Sequence, residues 1–163
     1  MHAEVRADGA LRFANASHRA ALGRAGITAH KQEGDGATPA GLLVLRRVLY
    51  RADRVARPRA RVPIEPIAPD DGWCDDPADK RYNQQVRLPY EARCEELWRR
   101  DGVYDVVGVL GWNDAPVRRG EGSAIFLHVA RADLAPTEGC VALELPALLE
   151  MLAAGLSGVS VLF

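Results

Sequence analysis

Apolar and polar positions alternate on either side of Asp8-Gly9 between Glu4 and Phe13, which predicts a β-hairpin. Leu42 to Tyr50, after a Thr38-Pro39-Ala40-Gly41 turn, reads as a strand, and so does the closing Val159 to Phe163. Val103 to Trp112 and Ala124 to Ala130 are apolar runs of the kind that form buried strands. Helical spacing is confined to two places. Glu91 to Arg100 predicts a short amphipathic helix, and Ala147 to Ala154 follows Pro146 at a first helical position. Glycines at 23, 26, 34 and 36 break the chain into loops or short strands. Between Pro58 and Pro89, prolines at 63, 66, 69 and 77 forbid long regular elements, so this stretch reads as an ordered surface excursion. Loops of that length inside compact domains are often functional. The expected fold is mainly β or α+β, a sheet sandwich with one or two short helices and no βαβ alternation.

Composition narrows the field. A chain of 163 residues suits a single domain spanning 1–163, and 48% hydrophobic with 26% charged residues is the balance of a globular protein. The net charge of −1 argues against a nucleic-acid binder that relies on bulk positive charge. Arg51 to Arg61 is a local basic exception and is expected to be a solvated edge or loop. No apolar run is long enough for a membrane span. Met1 to Arg6 is polar and lacks the apolar core of a signal peptide, as in a cytosolic chain or one whose leader is absent.

Three cysteines, Cys74, Cys94 and Cys140, leave at least one thiol free. Cys74 and Cys94 either pair in an oxidising compartment or remain two reduced thiols; both arrangements stay open. Cys140, preceded by Gly139, follows twelve residues after His128, which ends an apolar strand. A thiol needs a nearby base, because the thiolate is the nucleophile. A strand can hold His128, and a glycine-bearing turn can present Cys140 with backbone N–H groups facing a developing oxyanion. A backbone carbonyl just after His128, such as that of Val129, can orient the imidazole. Cys74, Cys94, His128 and Cys140 are zinc ligands by type, but they lack the close paired spacing of a metal site.

Thr137-Glu138-Gly139-Cys140, with His128 on the preceding strand, resembles the His, spacer, Ser/Thr-His-Gly-Cys pattern of the L,D-transpeptidase catalytic (YkuD-like) domain. Gly34-Asp35-Gly36-Ala37-Thr38-Pro39-Ala40-Gly41 is similar to that family's Gly-Asp-x-x-Thr-Pro-x-Gly segment. The resemblance runs from about Leu22 to the C-terminus. Glu138 stands where the commoner pattern has a second histidine, Ala142 where many members carry arginine, and the spacer is shorter.

The resemblance implies a YkuD-like sandwich and a cysteine acyltransferase with Cys140 as nucleophile and His128 as base. Its substrates would be peptidoglycan stem peptides. The cysteine attacks the carbonyl after an L-centre and releases terminal D-alanine; an amine of a neighbouring stem then resolves the acyl-enzyme. The departures at 138 and 142 suggest a divergent branch, with a non-standard cross-link among the expected outcomes. With water as acceptor the same site is an L,D-carboxypeptidase or a hydrolase of peptidoglycan-linked peptides. A non-catalytic peptidoglycan-binding protein is the third reading, against which the intact pair argues. The resemblance also implies carbapenem acylation, a periplasmic location, a monomer, and no metal or other cofactor.

Supporting roles are expected around the pair. Gly139, Val129 and Thr137 would give backbone support, Thr137 by bracing the Cys140 turn. Glu138, Tyr82, Asn83, Trp73 and Ser123 are candidate substrate contacts. Trp73 and Tyr82 would serve equally as anchors of the long excursion. His2, His18 and His30 are expected at the surface or in loops.

Overall fold

The computed structural model describes residues 1–163. The strands are β1 (His2–Arg6), β2 (Ala10–Phe13), β3 (Ala16–Arg19), β4 (Ile27–Thr28), β5 (Thr38–Pro39), β6 (Gly41–Tyr50), β7 (Ile64–Pro66), β8 (Asp71–Cys74), β9 (Gln85–Arg87), β10 (Cys94–Glu96), β11 (Val106–Gly111), β12 (Phe126–Val129), β13 (Val141–Leu143) and β14 (Gly158–Leu162). The one helix is α1 (Leu145–Ala153). A nine-stranded mixed sheet runs β13-β12-β11-β6-β14-β1-β2-β3, with β7 also paired to β6. Ala21, just past β3, exchanges both backbone hydrogen bonds with Ala142 of β13 at 2.9 Å. That bridge ties the two ends of the sheet together and gives the near-barrel form of the mainly β fold.

Alternation explains which residues face the core. In β12 and β13, Leu127, Val141 and Leu143 join a cluster of 22 buried residues that includes Leu148, Met151 and Leu152 of α1. Phe126 and Cys140 point the other way, into a second cluster with Trp73, Leu97, Tyr104 and Val107. Period-two geometry therefore sets His128 on the face of Phe126, away from α1. Each fully buried leucine in these clusters contributes on the order of 2 kcal/mol.

α1 forms where Pro146 pre-sets the first turn and Leu148, Met151 and Leu152 make an apolar stripe. It ends in a Schellman closure: Leu156 N–H donates to Met151 and Gly155 N–H to Leu152, with Gly155 at φ +91°. The expected hairpin about Asp8-Gly9 is β1–β2, and the other predicted strands and the Pro146 helix lie where the pattern put them.

Three expectations fail. Thr38-Pro39-Ala40-Gly41 is not a turn: Thr38–Pro39 is β5, extended beside β4, because the Thr38 and Ala40 N–H groups donate to the Gly26 and Thr28 carbonyls at 2.8 Å. Glu91 to Arg100 is not a helix. Cys94, Glu95 and Glu96 pair with Cys74, Trp73 and Gly72, forming the outer strand of a small β10-β8-β9 sheet. A ten-residue segment gains little as an isolated helix, whereas the free edge of β8 satisfies its backbone groups at once. Leu97 is then buried, and its N–H donates to Asp71 at 3.0 Å. The basic run is not uniformly solvated either. Arg51 is buried, grips Asp53 with Nε and one terminal nitrogen at 2.8 Å each, donates to the Arg99 carbonyl, and lies 3.5 Å over the Trp98 ring. Arg54, Arg57, Arg59 and Arg61 are exposed as expected. No helix is long and apolar enough to cross a membrane.

Candidate active site

The two sequence motifs meet at the turn before β13. Asp35 accepts from the backbone N–H groups of Gln32 and Ala37 at 2.9 Å and pairs with the buried ammonium of Lys31. This folds the 34–41 segment so that Ala37 and Thr38 lie behind Cys140. Thr38 Oγ1 accepts the Gly23 N–H at 2.8 Å and lies 3.5 Å from the Cys140 carbonyl. Gly139 has φ +140°, and a Cβ there would stand 2.8 Å from the Ala37 carbonyl oxygen. Only glycine fits that approach. Thr137 Oγ1 donates to the Cys140 carbonyl at 2.7 Å and accepts the Gly139 N–H at 3.1 Å. The Gly139 amide is thereby committed to the turn, while the Cys140 amide makes no hydrogen bond.

His128 sits on β12, in register with Ala142 of parallel β13. Its Nδ1 donates to the Val129 carbonyl at 2.9 Å, which fixes the tautomer and leaves Nε2 as an acceptor. The edge of its ring meets Tyr104, centroids 5.4 Å apart. Burial pulls its pKa down to about 4, partly opposed by the bond to Val129. The imidazole is therefore neutral near pH 7. One pair of residues back along the same face lies the Cys140 thiol. It donates to the Ala124 carbonyl at 3.2 Å and receives the Phe126 N–H at 3.4 Å. Burial, then the Glu95 carboxylate, pushes this thiol up to about 12. The cleft therefore holds a neutral thiol and a neutral imidazole on one face, each hydrogen-bonded to backbone and not to the other.

Both groups line one cleft of about 580 Å³, walled also by Glu95, Arg99, Tyr104, Ser123, Arg131 and Glu138. Of the sequence-predicted contacts, Ser123 and Glu138 are thus at the cleft. The Ser123 hydroxyl is already engaged with Glu33, and Glu138 reaches outward to Arg24 at 3.1 Å with most of its side chain exposed. Tyr82 is buried, donates to Glu33 at 2.8 Å and accepts the Gly122 N–H at 3.0 Å. Asn83 Oδ1 accepts from Trp73 Nε1 and from the Ala124 N–H, both at 3.0 Å, and its Nδ2 donates to the Trp112 and Asn113 carbonyls. Trp73 packs edge-on against Phe126, centroids 5.0 Å apart. Trp73 and Asn83 border a second cleft of about 820 Å³ with Arg46, Arg47 and Trp112; Cys140 and His128 are not on its lining. His2 and His30 are exposed, and His18 is half-buried on β3.

Sequence reasoning missed Glu95, Tyr104 and Lys31. Tyr104 Oη donates to Glu95 Oε1 while its ring touches both Phe126 and His128. Lys31 stands beside the 34–41 motif, so its neighbourhood carries a signal. Glu95 and Tyr104 come from separate segments and have no spacing to betray them. Cys74 and Cys94 are free thiols, directly opposed across β8 and β10.

Comparison with curated proteins and with solved structures gives no match. A family model described as the L,D-transpeptidase catalytic domain (YkuD) matches residues 5–161, nearly the whole chain, including both motifs that converge on Cys140. The chain belongs to the L,D-transpeptidase catalytic-domain family.

Proposed function

We propose that the protein is an L,D-transpeptidase that forms peptidoglycan cross-links through an acyl-enzyme on Cys140. The observation that carries this reading is the shared face of His128 and Cys140. β12 and the turn that enters its paired neighbour β13 present an imidazole with a free Nε2 and a thiol to the same cleft.

In the first half-reaction His128 Nε2 takes the thiol proton as Sγ attacks the carbonyl of the donor stem peptide. The oxyanion receives the unengaged Cys140 N–H. The tetrahedral centre collapses, its C–N bond breaks, and His128 returns the proton to the departing D-amino acid nitrogen. In the second, an acceptor amine attacks the thioester, the C–S bond breaks, and His128 carries a proton from the nitrogen to sulfur. The neutral resting pair means that charge separates only when substrate is bound, the condition under which a dry site stabilises it best. The enzyme works as a monomer in the periplasm, where stem peptides are found. Carbapenems acylate Cys140.

Incubation with a carbapenem, read by intact mass, tests the nucleophile: an adduct is expected on the wild type and not on Cys140→Ala. A folded wild type that takes no adduct overturns it. A disaccharide-tetrapeptide then tests the outcome. Cross-linked dimers are expected; release of D-alanine without dimers makes the protein a carboxypeptidase.

A further inference from the structure

The charged groups of the catalytic cleft are almost all spoken for. Lys31 pairs with Asp35, Arg93 with Asp75, Arg99 and Arg131 with Asp101, and Glu138 with Arg24. Glu33 accepts from Tyr82 and Ser123 on one oxygen and from the Gly34 N–H on the other. Glu95 is different. Its Oε1 accepts the Tyr104 hydroxyl, its Oε2 accepts nothing, and no cation pairs with it. That free oxygen keeps solvent access, because no buried side-chain oxygen or nitrogen in the protein lacks a partner. It opens on the cleft that holds Cys140 and His128.

The carboxylate is also held in place. β10 is paired along β8, with Glu95 opposite Trp73. Tyr104 clamps the other side, and the same Tyr104 ring packs on the His128 imidazole. A half-buried carboxylate with one fixed and one open oxygen, beside a nucleophile and its base, is a receptor for a hydrogen-bonding cation.

We propose that Glu95 receives the ammonium group of the acceptor and takes one of its protons. This inference rests on the transpeptidase reading and adds the residue that selects the acceptor. The ammonium donates an N–H to Glu95 Oε2 and gives up that proton, leaving a neutral amine facing the thioester. The amine nitrogen forms its bond to the acyl carbon, and the C–S bond breaks with its electron pair going to sulfur. One of the two remaining nitrogen protons passes through His128 Nε2 to Sγ. The product is a secondary amide and the free thiol, and Glu95 releases its proton to solvent. Burial raises the proton affinity of Glu95, which suits it to accept that proton. An ammonium at this site also offsets the negative charge that disfavours the Cys140 thiolate.

The test uses the full chain, a disaccharide-tetrapeptide donor and cadaverine as the primary-ammonium probe. Intact mass with a carbapenem confirms that the Cys140–His128 pair is active in each variant. Glu95→Gln keeps the size of the side chain and a hydrogen-bond acceptor for Tyr104. Its acylation by donor is expected to quicken, because the variant removes a negative charge that disfavours the Cys140 thiolate. Its KM for cadaverine is expected to rise at least tenfold, with hydrolysis of the acyl-enzyme taking over from aminolysis. Glu95→Asp should recover part of the amine use, and it decides the matter if Glu95→Gln does not fold. A Glu95→Gln enzyme that uses cadaverine with a KM within twofold of wild type overturns the role of Glu95 alone. A wild type that hydrolyses the donor and passes it to no amine overturns the transpeptidase reading, and this inference with it.

Discussion

His128 is held by the carbonyl of its own successor: Nδ1 donates to Val129 at 2.9 Å, so the nitrogen left over, Nε2, is unprotonated. With His128 pulled down to about 4 and Cys140 pushed up to about 12, the free protein holds a thiol and a neutral imidazole across the neutral range. Alkylation requires thiolate, and the thiolate fraction rises tenfold per pH unit below the thiol's pKa. Iodoacetamide should therefore label Cys140 slowly at pH 6, with a rate that keeps climbing to pH 10. A pre-formed thiolate–imidazolium pair would give a plateau from mildly acidic pH. Site-resolved mass spectrometry separates Cys140 from Cys74 and Cys94.

The same histidine makes stability depend on pH. Its folded pKa of about 4 lies below its ordinary 6.5, so the unfolded chain binds the extra proton first. The cost is absent above pH 6.5, grows as pH falls toward 4, and is complete below that, at about 3 kcal/mol. The carboxylates add their own acid dependence, so the comparison must be with His128→Gln. The stability difference between wild type and variant, from urea unfolding at pH 7 and at pH 4.5, should shift against the wild type at the lower pH. Parallel curves would show that His128 is not buried in neutral form.

Much of this arrangement is legible in the amino-acid sequence. The apolar run 124–130 predicts β12, and the Gly34–Gly41 and Thr137–Cys140 motifs point to one site through their resemblance to a single family pattern. Thr38 meeting the Cys140 carbonyl shows why both motifs are required. The cleft's far wall is not legible in the same way. Glu95 and Trp98 have helical spacing, and only the open edge of β8, distant in sequence, turns Cys94–Glu96 into a strand. Arg51 reads as solvated within a basic run, because its partners Asp53, Trp98 and the Arg99 carbonyl are assembled by tertiary folding.

The Thr137 hydroxyl braces the Cys140 turn through two hydrogen bonds. Thr137→Val removes them while keeping the shape, and should cost about 1–2 kcal/mol of stability. It should also slow carbapenem acylation at least tenfold by loosening the Cys140 backbone. Thr137→Ser retains the oxygen and should stay within a few-fold of wild type. Equal acylation rates for the Val and Ser variants would remove Thr137 from the site.

Glu138 occupies the position where the commoner family pattern has histidine, yet its carboxylate turns to Arg24 in solvent. Exposed pairs of this kind contribute little. Glu138→Gln should leave the acylation rate within twofold of wild type and its iodoacetamide profile unchanged. A rise in Cys140 reactivity beyond fivefold would mean that this carboxylate, rather than Glu95, sets the electrostatics of the thiol.

Asn83 holds the partition beside the cleft with four hydrogen bonds, two accepted from Trp73 and Ala124 and two donated to Trp112 and Asn113. Its backbone is left-handed at φ 58°, a conformation asparagine tolerates better than most residues. Asn83→Ala leaves four polar groups without this partner, one of them the amide of Ala124, whose carbonyl receives the Cys140 thiol. A loss of at least about 3 kcal/mol is expected, since each stranded buried group costs about 1–3 kcal/mol and water can reach only some of them. Asn83→Asp keeps the acceptor for Trp73 and Ala124 but cannot donate to the two carbonyls, so it should fall between Asn83→Ala and wild type. Urea unfolding gives the stabilities, and carbapenem acylation of the folded fraction reads the cleft. A stable Asn83→Ala protein with wild-type acylation would show that the partition does not support Cys140.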